Sequence, residues 1–280
     1  MNAYKPVSAC GRGCLPHVAS AHRAAWLVRA ARLTAVVTLL VCALGVAASF
    51  PLLTAGGRIR AVRGWFRVLL RACGVRLHVR GDLCLPVTTG PGGLGTLVTA
   101  NHVSWLDVPA LMAVDPVRVL AKSDVRRWPV VGVLARRAGT VFIDRERLRR
   151  LPDTVAEIAA ALRRGHTVAV FPEGSTWCGR TTGRFYPATL QAAVDAGAPV
   201  RPVAIRYRLP DGSPTTLPAF VGDDTLVASL RRVLGARRIV AELELLPVLA
   251  PQVVGRRHLA SASHLAITAR RGAPVPTLKA

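Results

Sequence analysis

A histidine and an aspartate five residues apart, His102 and Asp107, lie in the stretch Asn101-His102-Val103-Ser104-Trp105-Leu106-Asp107. An imidazole with a carboxylate in reach is a general base with a group to orient it. The carboxylate holds the proton on one ring nitrogen, and the other nitrogen is left to accept one. Such a pair also has a plain reading, a helix-capping aspartate next to a loop histidine, and chance supplies many of them. Three other groupings bear on the choice. Lys122-Ser123, Asp144-Arg145 and Pro172-Glu173-Gly174-Ser175-Thr176 each follow a short apolar run, as the His102 stretch follows Thr96-Leu97-Val98-Thr99-Ala100. A guanidinium recognises a phosphate through paired N–H donors, and a lysine adds a point charge. Gly174 would let the chain turn sharply and bring backbone N–H groups near a ligand.

The runs that carry these groups predict strands at 75–79, 96–100, 117–121, 140–143, 167–171, 200–207 and 239–246. Helical spacing predicts helices at 108–114, 130–137, 152–164, 188–196 and 224–234, with a further surface helix within 254–271. In the 152–164 segment Pro152 opens the helix, Val155, Ile158, Ala159 and Leu162 share one face, and Gly165 is placed to end it. Strands alternating with helices imply an α/β fold with a mixed, largely parallel sheet flanked by helices. Ligands bind such sheets beyond the carboxyl ends of the strands, and all four groupings fall there.

The first third of the chain is different. The protein has 280 residues, with 38 basic against 15 acidic side chains, a formal charge of +23 and a mean hydropathy of +0.35. No acid precedes Asp82, while twelve lysines and arginines do. Between Leu33 and Gly57 there is no charge at all. As a helix, 33–53 would span about 30 Å, the thickness of a bilayer's hydrocarbon core. From Arg58 to Cys73, Ile59, Val62, Phe66, Leu69 and Cys73 repeat on one face and Arg60, Arg63, Arg67 and Arg71 on another, the pattern of a basic helix lying among lipid headgroups. The expected organisation is therefore a basic arm (1–32), a membrane-anchoring segment (33–73), a catalytic domain (74–250), and a surface helix with a tail (251–280). The six cysteines do not form a disulfide framework, which places the catalytic domain in a reducing, cytoplasm-facing environment. Cys10, Cys14 and His17 supply three metal ligands without a fourth, so no metal is expected, and no organic cofactor either.

Four blocks in order resemble those of the glycerolipid acyltransferases, the 1-acylglycerol-3-phosphate acyltransferase group. They are His102 to Asp107, Gly139-Thr140-Val141-Phe142-Ile143-Asp144-Arg145, Phe171-Pro172-Glu173-Gly174-Ser175, and Val200-Arg201-Pro202-Val203-Ala204, within roughly residues 60 to 250. The resemblance implies transfer of a fatty acyl group from a thioester, acyl-CoA or acyl-carrier protein, to the free hydroxyl of a lysolipid at an anionic membrane surface. His102 would be the base and Asp107 its orienting acid. Arg145, Lys122, Gly174, Ser175 and Ser104 would face substrate, with Glu173 orienting Arg145 or its own loop. The first acceptor implied is 1-acylglycerol-3-phosphate, giving phosphatidic acid. Two departures bear on it. Ser175-Thr176 stands where many members have Thr-Arg, and Tyr186 where a lysine is common, leaving Arg180 or Arg184 to stand in. Both changes favour another acceptor, such as a lyso-aminolipid.

Two other classes compete. A non-catalytic basic protein would explain the charge, but nucleic acid is an unsuitable partner for a chain with no nucleic-acid fold signature and few aromatics to stack on bases. A hydrolase using Ser104 would need a nucleophile elbow, and none is present.

Overall fold

Strand β2 (Leu97–Ala100) runs through the middle of a seven-stranded sheet and delivers the histidine motif from its carboxyl end. The other strands are β1 (Val75–Gly81), β3 (Arg118–Lys122), β4 (Val141–Ile143), β5 (Val168–Val170), β6 (Val200–Arg208) and β7 (Ile239–Leu245). In the computed structural model, which describes residues 6–16, 23–48, 50–81, 93–144, 147–250 and 255–270, they lie in the order β1-β7-β6-β2-β5-β3-β4. Every neighbouring pair is parallel except β6 with β7. This is the mixed, largely parallel sheet that the sequence predicts, and each strand starts within one residue of its expected position.

The period of two along each strand divides the core into two layers. Leu97, Val168, Val170 and Ala204 pack under helices α5 (Leu151–Arg163), α6 (Gln191–Ala196) and α8 (Arg256–Ala269). Val98, Ala100, Ala169, Val203, Ile205 and Tyr207 face the other way, towards α2 (Ala55–Ala72), α3 (Asp107–Val114) and α7 (Leu226–Gly235). A short helix, α4 (Val131–Arg137), precedes β4. Helix α5 buries Val155, Ile158, Ala159 and Leu162, the face that its spacing defines. Helix α8 buries Leu259, Ala260 and Ile267 against the sheet, so it covers the core rather than lying loosely on it.

The N-terminal helices differ from expectation in two ways. Helix α1 is Trp26–Ala48, beginning before the uncharged run and stopping before a short turn at Phe50–Leu52. Pro51, with no N–H to give, suits that stop. The helix therefore contains Arg29 and Arg32. Arg32 donates to the carbonyls of Leu234 (3.0 Å), Ala236 (2.6 Å) and Arg237 (2.9 Å), a cation seated at the carboxyl end of α7. Gly74 (φ +76°) leaves room for this: a Cβ there would lie 2.4 Å from the Arg32 guanidinium carbon. Along the rest of α1 one side is bare, while Val36, Leu39, Leu40 and Ala43 turn towards the domain. Trp26, Leu27, Val37 and Val41 are all more than half exposed, and only Val36 and Ala43 are buried. Its 23 residues, with a mean hydropathy of 2.1 over the most apolar 18, have the length and composition to cross a bilayer.

Helix α2 turns its apolar side to the protein. Leu69, Leu70 and Cys73 are buried, and Val62, Trp65 and Phe66 pack against the same core. Arg67 donates to the Ala113 carbonyl (3.1 Å) at the end of α3. The spacing at 58–73 is amphipathic as expected, but the surface covering most of its apolar face is this chain rather than lipid. What α2 offers outward is mainly arginine, with Arg58, Arg60, Arg67 and Arg71 exposed.

Candidate active site

The motif leaves the sheet by a defined route. The side-chain amide of Asn101 accepts from Ile205 N–H (2.8 Å) and donates to the Ile205 carbonyl (2.9 Å), replacing the backbone pairing of β2 with β6 for one residue. The main chain can then turn away. Asp107 sits in the first turn of α3, where a negative charge is favoured, and it is fully buried. Its Oδ2 accepts from Val103 N–H (2.7 Å), Ser104 N–H (2.9 Å) and the Nδ1 of His102 (2.8 Å), and its Oδ1 accepts from the Tyr207 hydroxyl (2.6 Å). Four donors on two oxygens hold the carboxylate in a single orientation.

The consequence for His102 is a set tautomer. With Nδ1–H donating to Asp107, Nε2 carries a lone pair. The ring stacks on Phe171, centroids 4.1 Å apart and planes 18° apart, and its side chain keeps 20% of its surface exposed. A base fixed in orientation yet open to solvent can accept a proton from an incoming hydroxyl.

Buried away from solvent, Glu173 holds its own loop, one of the two tasks expected of it. Only 2% exposed, it accepts from the backbone N–H of His102 at Oε2 (2.6 Å) and of Gly183 at Oε1 (3.1 Å). It thus ties the histidine's own backbone to the loop after β5. Trp177 N–H completes this link by donating to the His102 carbonyl (2.7 Å). Gly174 does turn the chain sharply (φ +69°), but its N–H donates to the Phe171 carbonyl (3.0 Å) within the turn, so it is not offered to a ligand. A Cβ on Gly174 would lie 2.5 Å from the ring of Pro6 in the N-terminal arm. Ser175 lies half-buried beyond that turn. Ser104, completely buried, turns its hydroxyl inward to accept from Leu106 N–H (3.2 Å). This replaces the substrate contact expected of it.

Lys122 stands at the end of β3, two strands from β2, and pairs with Asp124. Arg145 lies outside the described residues. Thr176, at the position where an arginine is common, donates to the Phe220 carbonyl. Arg180 and Arg184 are exposed, and the guanidinium of Arg184 lies 4.6 Å from the centre of the Tyr186 ring. Behind the motif lies a cavity of about 70 Å³, lined by Asn101, Val103, Arg180 and Tyr207 among others.

Tyr207 is the member of the site that residue spacing misses. Burial and the adjoining Asp107 carboxylate push its phenol well above the ordinary value, so it remains a donor. A signal exists in the sequence. Val203, Ile205 and Tyr207 alternate on one face of a strand, and a buried phenol on an apolar face needs a polar partner.

Comparison with known proteins agrees with this site. A family model described as Acyltransferase matches residues 76–206. The chain is 37% identical over 223 residues to a lyso-ornithine lipid O-acyltransferase of Pseudomonas aeruginosa, covering 79% of this chain and 82% of that one. It is also 37% identical over 187 residues to a 1-acyl-sn-glycerol-3-phosphate acyltransferase of Neisseria meningitidis serogroup B, covering 67% and 71%. The chain therefore belongs to the acyltransferase family. In fold it is similar to the crystal structure of the 1-acyl-sn-glycerophosphate acyltransferase PlsC from Thermotoga maritima, with a TM-score of 0.68 at 18% identity, over 88% of this chain and 93% of that one.

Proposed function

We propose that this acyltransferase works at a membrane, moving a fatty acyl group from a thioester to the hydroxyl of a lysolipid, with His102 as the base. The observation that carries the reading is the fixed tautomer: Nδ1 engaged by a buried carboxylate at 2.8 Å, on a ring that still meets solvent. The acceptor hydroxyl gives its proton to Nε2 as its oxygen attacks the thioester carbonyl. Asp107 stabilises the imidazolium that forms. When the tetrahedral intermediate collapses, the C–S bond breaks and the imidazolium returns the proton to the departing thiolate. The hydroxyl of the lysolipid is the nucleophile, so no serine is needed, in keeping with a buried Ser104.

Helix α1 and the exposed arginines of α2 support a membrane setting, since the one offers bare apolar surface and the others attract anionic headgroups. The acyl donor is acyl-CoA or acyl-carrier protein. The first acceptor is 1-acylglycerol-3-phosphate, giving phosphatidic acid, with Arg145 as its phosphate partner. A lyso-aminolipid is a second reading with its own support. Thr176 is tied to Phe220 where a phosphate-facing arginine is common, and a relative covering 79% of this chain is named for lyso-ornithine lipid.

Purified protein supplied with mixed lysolipids, acyl-CoA and acyl-carrier protein, and followed by mass spectrometry of the lipids, tests this directly. A diacyl product is expected, and its head group identifies the acceptor. A folded His102→Ala variant with full activity would overturn the mechanism.

A further inference from the structure

Segment 6–16 has no regular structure beyond one short turn at Arg12–Cys14, yet it is held against the catalytic domain. Arg12 pairs with Asp223 (3.0 Å), the Cys14 carbonyl accepts from the Thr216 hydroxyl (2.8 Å), and Pro6 lies over Gly174. This docking brings three sulfurs together. The Sγ atoms of Cys10, Cys14 and Cys178 all lie within 4.8 Å of one another. Cys10 and Cys178 are buried and Cys14 is half-buried. Cys178 reaches the cluster from the loop that carries Glu173 and Trp177, 168 residues along the chain from Cys10.

We propose that Cys10, Cys14 and Cys178 form a three-thiolate site for a soft divalent metal of the zinc class, which fastens the N-terminal arm beside the active-site loop. The chemistry selects the ligand. Thiolates prefer zinc-like ions over hard cations such as magnesium or calcium. Tetrahedral zinc with Zn–S distances of about 2.3 Å needs sulfurs about 3.8 Å apart. Closing a triangle with edges of at most 4.8 Å to that size moves each sulfur by about 0.6 Å or less, within the reach of small side-chain rotations.

The surroundings suit sulfur anions. Cys178 N–H donates to the Cys10 sulfur (3.4 Å), and the Thr181 hydroxyl lies 3.5 Å from the Cys10 sulfur and 3.7 Å from that of Cys178. Donors of this kind orient ligating atoms and tune them. A disulfide would join two of the three and leave a buried thiol beside it, whereas a metal uses all three. Cys14, on the solvent side, leaves the fourth coordination position to water. His17 lies outside the described residues. Cys178 follows Trp177, whose N–H holds the His102 carbonyl, so the metal would brace a loop in direct contact with the catalytic motif.

The test uses the full-length protein in detergent, purified without chelator. About one zinc per chain by elemental analysis is expected. Replacement by Co²⁺ should give thiolate-to-metal charge-transfer absorption and the strong visible bands of a tetrahedral ion. Cys10→Ser, Cys14→Ser and Cys178→Ser should each bind zinc at least tenfold more weakly, while Cys42→Ser leaves it unchanged. Cys14→His, which replaces one ligand type by another, should keep the metal, an outcome that mere packing of the arm would not give. Metal removal should also expose the arm to limited proteolysis. Three titratable free thiols with no zinc or cobalt bound would overturn the site, as would a disulfide among them in the native protein. Retention of zinc by all three serine variants would overturn it too. None of these readouts depends on acyl transfer.

Discussion

Replacing Tyr207 by phenylalanine removes a single oxygen atom from the buried network around Asp107. That oxygen lies 2.6 Å from Oδ1 of a fully buried carboxylate. A hydrogen bond to a charged group contributes about 1.5–3 kcal/mol, and leaving the acceptor without it carries the full desolvation penalty. The variant should therefore lose about that much stability, seen as a fall in Tm of roughly 3–12 °C at about 2–4 °C per kcal/mol for a domain of this size. The rate effect is smaller, because the carboxylate is charged both before and during proton transfer. Only the part of the bond that keeps Asp107 aimed at His102 Nδ1 reaches the transition state. If half of it does, about 0.8–1.5 kcal/mol, kcat falls about 4- to 13-fold while KM stays within twofold. Initial rates of acyl transfer at a temperature well below the variant's Tm measure this, with the same change made in a His102→Ala background. There the substitution should have no further effect, since the base it positions is gone. A variant with lowered Tm and wild-type kcat would refute the role assigned to Tyr207 and leave it a structural donor only.

Other changes follow from the same geometry. His102→Ala should lower kcat by about 10²–10⁴-fold, and Asp107→Asn should fall in the same range with little change in KM, measured as acyl transfer at saturating acceptor. Glu173→Gln sets an amide NH₂ or a weaker acceptor against the N–H groups of His102 and Gly183. It should lower stability by about 1–3 kcal/mol and kcat with it, and calorimetry beside an activity assay that finds both unchanged would contradict the clamp. Asp115, at the end of α3, is raised from 3.8 to about 6 by burial, against the opposing pull of Arg63. Because the folded state disfavours the ionised form, stability is greatest below 3.8 and is lost as pH rises through about 6. Full shielding would make the loss about 3 kcal/mol, and solvent reaching this half-buried group reduces it to about 1–2 kcal/mol. Asp115→Asn should thus gain Tm over the parent progressively between pH 4 and 7, and a constant difference would count against this. Gly174→Ala must displace Pro6 and adopt a φ of +69°, so it should loosen the arm, read as faster proteolysis before residue 16.

The strands were readable because each is a short apolar run whose alternate residues enter different layers, and such a run tolerates little ambiguity of register. Position 101 to 107 was readable for a related reason: chemistry at the carboxyl end of a strand leaves its residues adjacent in the chain. What could not be read depends on partners distant in sequence. The groups through which Glu173 holds its loop, the N–H groups of His102 and Gly183, carry no side-chain signature. Tyr207 lies 100 residues from the carboxylate it serves. Ser104 points inward through a local turn that its neighbours in sequence do not announce. The same limit applies to α2. Periodicity defines an apolar face, but only the fold shows that α3 and the sheet cover it.

The seat of Arg32 has a mechanical consequence. A guanidinium holding three carbonyls at the end of α7 makes the junction between α1 and the catalytic domain a stiff joint rather than a swivel. From Arg32 to Ala48 the helix is a lever about 24 Å long, steadied along one side by Val36, Leu39 and Leu40 against the core. With that lever in a bilayer, the tilt of the helix sets the height and attitude of His102 above the lipid surface. Bilayer thickness then becomes a variable to which the enzyme's reach can respond. Arg32→Ala would leave α1 held only by the packing of Val36, Leu39, Leu40 and Ala43, and should weaken any dependence of the rate on the acyl-chain length of the host membrane.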